Sequence, residues 1–266
     1  MPAGSCPVRF HGVGGMLLIG QRPAFLGEAG SAGQRFMRPG CQSQKLLRRL
    51  VAAGAVTLLA AAVCYLFVDI PVARRCQMLS MQTVLFYKKL TAVGHSTAWL
   101  IGSASIWAVC QFGIRNRRVA HRAAFVFFAI AVSGIAVNVI KFIFARTRPI
   151  ELLTHDTFEF RFFDIGYEVN SFPSGHACTI GAVFMSFCIV LPRWKAVWVG
   201  LGLLLPVTRV LINSHFVSDV MVGLYLGVAI TVFLRYISER FGFRLDAVST
   251  PPALRPAVRL NPPSRS

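Results

Sequence analysis

Three polar clusters interrupt an otherwise apolar chain, and each holds residue types suited to phosphate chemistry. The first contains Lys141 and Arg148, seven positions apart, with Arg146 between them. On one continuous helix that spacing is nearly two turns, so both cations would project from one face and grip a single anion at two depths. The second is Ser171-Phe172-Pro173-Ser174-Gly175-His176, directly ahead of an apolar run at 177–191. Proline and glycine around Ser174 favour a sharp turn, and a helix starting there would aim backbone N–H groups at an anion. A plain helix start capped by Ser174 is the other reading of the same residues. The third cluster is Arg209 followed by His215 and Asp219, the last two spaced i,i+4. On one helix the carboxylate would accept from one imidazole nitrogen, fix the tautomer and leave the other nitrogen free.

The medium that must hold these clusters is set by composition. The chain has 266 residues, 55% of them hydrophobic and only 14% charged, with a mean hydropathy of +0.60, which describes a polytopic membrane protein. A net charge of +18 therefore points to basic loops facing anionic lipid, with no nucleic acid partner. The seven cysteines contain no C-x-x-C pair, and Cys64, Cys110, Cys178 and Cys188 lie in apolar segments, where they read as packing residues.

Along the chain, residues 1–44 read as a basic, glycine-rich, disordered tail, 45–240 as a six-helix membrane domain and 241–266 as a proline-rich basic tail. Six apolar segments are expected to cross: 51–68, 92–114, 123–145, 176–191, 196–212 and 215–236. Residues 71–89 form a polar connection with room for an interfacial helix. The fold class is all-α, a polytopic membrane helix bundle with six transmembrane helices. The loop at 147–171 holds five of the ten acidic residues, interleaved with Phe158, Phe160, Phe162, Phe163 and Tyr167. That mixture suits a segment at the membrane surface, with aromatics toward lipid and carboxylates toward water. It is either the substrate-selecting element or a tether.

Most lysine and arginine falls in the two tails, in 115–122 and in 193–195, so both termini are expected to be cytoplasmic. The ends of the helices that carry the three clusters then meet on the opposite face. Ionisable residues at membrane depth mark functional sites, although lysine and arginine near helix ends also snorkel and a His–Asp pair can be structural.

Taken together, Lys141 with Arg148-Pro149, then Pro173-Ser174-Gly175-His176, then Arg209 with His215 and Asp219 closely resemble the three-part signature of the type 2 phosphatidic acid phosphatase superfamily. One departure is Thr208, where the family usually has serine. The resemblance implies a membrane lipid phosphatase that needs no metal or other cofactor and works through a phosphohistidine. His215 is the nucleophile, Asp219 orients it and His176 is the general acid and base. Lys141, Arg148, Ser174, Gly175 and Arg209 bind phosphate. The implied partner is a phosphorylated membrane lipid: phosphatidic acid, phosphatidylglycerol phosphate, isoprenyl pyrophosphate or lipid A. The alternatives are transfer of phosphate to another lipid and a non-enzymatic lipid-binding or transport protein. With no N-glycosylation sequon, the expected place is a bacterial inner membrane with a periplasmic site.

Overall fold

The computed structural model describes residues 39–241 and Leu245. Its described elements are nine α-helices: α1 (Pro39–Phe67), α2 (Asp69–Cys76), α3 (Met81–Thr91), α4 (Ser96–Ala108), α5 (Arg117–Phe144), α6 (Pro149–His155), α7 (Gly175–Val190), α8 (Lys195–Leu211) and α9 (Val217–Arg240). Short 3-10 turns at Ala92–Gly94 and Pro192–Trp194 and a π turn at Val109–Gly113 join them. The all-α class therefore holds among the described residues. The expected tails, apart from 39–44, 241 and 245, lie outside them.

Several boundaries differ from expectation, each for a local reason. The first helix begins at Pro39, so residues 39–44 are helical. The connection after it contains two helices: α2 starts at Asp69, and Ser80 caps α3 by accepting from Thr83 N–H at 3.3 Å. The second apolar segment is not one rod, because His95 adopts an extended backbone that separates the 92–94 turn from α4. Asn116 starts α5 early by accepting from Val119 N–H. At its other end Ala145 takes a left-handed conformation, with φ 37°, and the helix stops there. Lys141 and Arg148 thus do not share one helical face; Arg148 is extended and precedes α6.

Four helices are long and apolar enough to cross a membrane by length and composition: Gln44–Phe67, Arg117–Phe144, Pro192–Leu211 and Val217–Arg240. By that measure two of the six expected crossings fall short. Helix α7 has 16 residues, roughly 24 Å at 1.5 Å per residue, against a hydrocarbon core of about 30 Å. It is instead the central helix, with Val126, Ile130, Ala182 and Val183 packed between it and α5, and with Phe184 against Leu205 of α8. Its approach to α9 depends on missing side chains. A β-carbon on Gly227 would collide with the carbonyl of Cys178, one on Gly223 with that of Ser174, and one on Gly181 would lie 2.6 Å from Leu224 O. The five described cysteines outside 39–43, including Cys178 at this contact, are free thiols.

This packing yields a direct contrast. Gly227→Ala is expected to destabilise the fold by about 1–3 kcal/mol through overpacking. Gly134→Ala, where an added β-carbon meets nothing within 4 Å, should leave stability equal or raise it by about 0.5–1 kcal/mol by removing a helical glycine. Thermal unfolding of both proteins in detergent checks this.

Candidate active site

The site rests on one buried cation. Arg146, 1% exposed, donates from Nη1 to Asp219 Oδ1 and, at 2.7 Å, to Ser218 Oγ, and from Nη2 to Asp69 Oδ2 at 2.9 Å. Asp69 also accepts from the Ser218 backbone N–H at 3.1 Å and from its hydroxyl. The rings of Tyr65, Phe158, Phe160 and Phe216 surround the guanidinium carbon, with centroids 4.3 to 5.4 Å away. A charge removed from water requires paired carboxylates and close hydrogen bonding, which here leaves Nε without a partner among the described residues, and planar arginine can additionally stack on π faces.

Extended backbone then ties the site's loops to Arg146. Residues 145–148 lie between two other segments: Thr147 N–H donates to Glu159 O and Arg161 N–H to Ala145 O, while Arg148 N–H donates to Glu168 O and Ser171 N–H to Arg146 O. The loop at 147–171 is therefore fastened into the site. Phe158 and Phe160 turn inward onto Arg146, whereas Phe162, Phe163 and Tyr167 remain exposed. Only part of the expected outward aromatic face is present.

Above this node lies a cavity of about 500 Å³. Lys141, Arg148, Tyr167, Asn170, Gly175, His176, Arg209 and His215 line it, together with Lys88, Thr91 and His95. Lys141 Nζ donates to Asn170 O at 2.7 Å, and Arg148 donates to the same carbonyl at 3.3 Å and to Tyr167 O at 2.7 Å. The Tyr167 ring sits over the Arg148 guanidinium, with its centroid 4.0 Å away. Arg209 Nε and His176 Nε2 are buried with no protein partner among the described residues.

His215 is 3% exposed and lies in the connection before α9, not on the helix. Its Nδ1 is 2.8 Å from the Ser171 carbonyl and 3.9 Å from Asp219 Oδ2. A carbonyl can only accept, so Nδ1 carries the proton and Nε2 the lone pair. The expected direct hydrogen bond from His215 to Asp219 is thus corrected. Asp219 acts one step back, accepting from Ser171 Oγ at 2.6 Å and from Phe216 N–H at 2.9 Å. Burial, reinforced by Lys141, Arg209 and Arg148, drives the His215 pKa well below its ordinary 6.5, so the ring is neutral.

The structure brings six of the expected residues to one cavity: Lys141, Arg148, Gly175, His176, Arg209 and His215. Ser174 is not among them. It is fully buried at the start of α7, where its hydroxyl accepts from Ala177 N–H at 3.4 Å as a helix cap. Thr208 does not reach the cavity either, because its hydroxyl donates to Leu205 O at 2.6 Å within α8. Sequence reasoning missed Asp69, the structural part of Arg146 and the contribution of residues 88–95. A lone carboxylate at the end of the first apolar run was the available signal for Asp69.

Because Asp69 balances a buried guanidinium, Asp69→Ala is expected to cost about 3–5 kcal/mol of stability. Glu159→Ala, which removes an exposed partner of Arg161, should leave the unfolding temperature close to that of the parent. Thermal unfolding in detergent distinguishes the two.

Known proteins resemble this chain over the same region. Residues 122–243 match the family model for the PAP2 superfamily, and that range contains all three polar clusters. A lipid A 1-phosphatase of Rhizobium johnstonii is 33% identical over 134 residues, 50% of this chain and 55% of that protein. One from Rhizobium etli is 32% identical over 134 residues, 50% of this chain and 58% of that protein. The chain thus spans a little over half the length of the curated relatives it matches. The crystal structure of a transmembrane PAP2 type phosphatidylglycerolphosphate phosphatase from Bacillus subtilis is similar, with a TM-score of 0.55 over 72% of this chain and 96% of that one. At 19% identity that likeness concerns the fold. The helical region carrying Lys141, His176 and His215 thus lies within the residues that match the PAP2 superfamily model.

Proposed function

We propose that this protein is a multi-pass membrane phosphatase that removes a phosphate group from a membrane lipid through a phosphohistidine on His215. The observation that carries the reading is His215, its Nδ1 on the Ser171 carbonyl, at a cavity whose other walls hold Lys141, Arg148 and Arg209 and, among the described residues, no carboxylate side chain. The names of the lipid A 1-phosphatases and of the phosphatidylglycerolphosphate phosphatase support a lipid with a polar headgroup as substrate.

In the first half-reaction the lone pair of His215 Nε2 attacks phosphorus, and the bond from phosphorus to the leaving oxygen breaks. His176, protonated once the phosphate anion offsets the cations of the cavity, supplies a proton to that oxygen. The three cations stabilise the charge that spreads over the non-bridging oxygens. In the second, neutral His176 takes a proton from water as its oxygen attacks the phosphohistidine, the P–N bond breaks and inorganic phosphate leaves. The imidazolium that forms at His215 keeps its Nδ1 hydrogen on the Ser171 carbonyl, which Asp219 holds in place through the Ser171 hydroxyl. Gly175 gives the phosphate room beside Lys141, whose Cε would be 3.7 Å from a β-carbon there. This scheme needs no metal ion: three cationic side chains supply the positive charge, and the buried carboxylates Asp69 and Asp219 are engaged by Arg146.

The membrane reading extends to six crossings, with α4 continued by its π turn and α7 as the two short ones; for α7 this is tolerable because both ends of a central helix need not reach lipid headgroups. Both termini lie on the cytoplasmic side and the cavity opens on the opposite, periplasmic side, as the lysine and arginine distribution favours.

His215→Ala is expected to lower phosphate release by three orders of magnitude or more while lipid binding persists; unchanged turnover would refute the mechanism. Labelled lipid should leave label on the wild-type chain in an acid-labile form, and EDTA should not reduce the rate. Since the His215 imidazole stays neutral well below 6.5, loss of the nucleophile by protonation should occur only below pH 6.5. An acid limb of kcat/KM that depends on His215 and lies at or above that pH would contradict the buried, neutral state.

A further inference from the structure

One wall of the cavity comes from outside the region that matches the family model. It is built by the end of α3 and the turn after it, from Lys88, Thr91 and His95. The His95 ring meets the His176 ring edge-on, with centroids 4.7 Å apart. Gly94 permits the approach, since a β-carbon there would lie 2.9 Å from His176 Cδ2. This wall therefore flanks the group proposed to protonate the departing oxygen. It lies on the leaving-group side of the phosphate.

Two observations say what this wall receives. Thr91 is 4% exposed and its hydroxyl has no hydrogen-bond partner among the described residues. A buried hydroxyl left without a partner is destabilising, so its presence at a cavity wall fits a ligand oxygen. Lys88 is a fourth cation on a cavity lined also by Lys141, Arg148 and Arg209 and by no aspartate or glutamate. Among the described residues it makes no ion pair. A phosphomonoester carries at most two negative charges, which the three cations around His215 already exceed, so Lys88 is left for another oxygen-rich group.

We infer that Lys88, Thr91 and His95 form a subsite for the leaving part of the headgroup, and that it takes one carrying oxygens next to the scissile phosphate: a sugar hydroxyl or a second phosphate. The inference rests on the phosphatase reading and narrows its substrate class. Phosphatidic acid, whose leaving group is diacylglycerol, uses this corner least. Lys88 serves a second phosphate as a charge, and Thr91 serves a sugar hydroxyl as donor or acceptor.

The test uses the purified full chain in mixed micelles with three substrates: phosphatidylglycerol phosphate, lipid A and phosphatidic acid. Lys88→Met should lower the ratio of kcat/KM for phosphatidylglycerol phosphate over phosphatidic acid about tenfold, the effect of losing one charge-assisted hydrogen bond. The near-isosteric Thr91→Val should lower the ratio for lipid A over phosphatidic acid several-fold. If both ratios stay within twofold of wild type, or if all three substrates lose the same factor, the subsite is overturned. Binding of the same lipids to the His215→Ala protein is measured in parallel, with and without Lys88→Met and Thr91→Val. Absent turnover by wild type would then sink the phosphatase reading, while the binding ratios would still decide the subsite.

Discussion

A guanidinium with almost no access to solvent must be met from several directions at once, and the contacts of Arg146 bring distant parts of this chain together. Asp69 comes from the start of α2, Ser218 and Asp219 from the start of α9, and Phe158 and Phe160 from the long loop. The three sets lie far from one another in sequence. Leaving any one out would strand a buried charge, so the ion-pair node selects a single arrangement of α2, α9 and the 145–171 segment. Helix packing around α7 supplies bulk stability; the node supplies register.

The node also divides the charges of the site into two layers. Behind His215, one guanidinium faces two carboxylates, and the excess negative charge is spread through hydroxyl and backbone donors. In front of it, Lys141, Arg148 and Arg209 line a space without carboxylates. If Asp219 were free of Arg146, it would compete as a counter-ion for the cations of the cavity. Engaging it with Arg146 keeps those cations for an anion from outside. The same engagement accounts for its indirect link to His215: the carboxylate holds Ser171, and the Ser171 carbonyl holds the ring.

Membrane geometry explains the unequal helices. Helices α1, α5, α8 and α9 are long, apolar and open to lipid along much of their length. Helix α7 is covered by its neighbours, and its first residues form the floor of a polar cavity. A helix that begins at a cavity wall loses no hydrogen bonds to hydrocarbon there, because its free N–H groups face polar space instead of lipid. Its glycine contacts with α9 then bring Ser174 and Gly223 backbone to backbone, which sets the depth at which His176 enters the cavity.

Apolar content, the positions of five of the six apolar segments, and the three polar clusters were all legible in the sequence, because hydropathy and spacing are local properties. So was the convergence of Lys141, His176, Arg209 and His215, since the order of the helices dictates which ends share a side. The single helical face for Lys141 and Arg148 failed at Ala145, where one left-handed residue ends α5; nothing in an alanine announces that. Ser174 had two local readings, and the structure adds the cap contact of its hydroxyl with Ala177 N–H. The partner of His215 likewise depended on where α9 begins, two residues later than the i,i+4 pattern assumed. Asp69 showed in the sequence only as a lone carboxylate after an apolar run, and Thr91 and His95 not at all, because the groups they meet come from distant parts of the chain. Sequence alone determined which polar residues the chain carries and the apolar medium around them. Tertiary structure decided which side chains face the cavity and which are engaged in holding it, because a buried charge is satisfied by whatever the fold brings within reach.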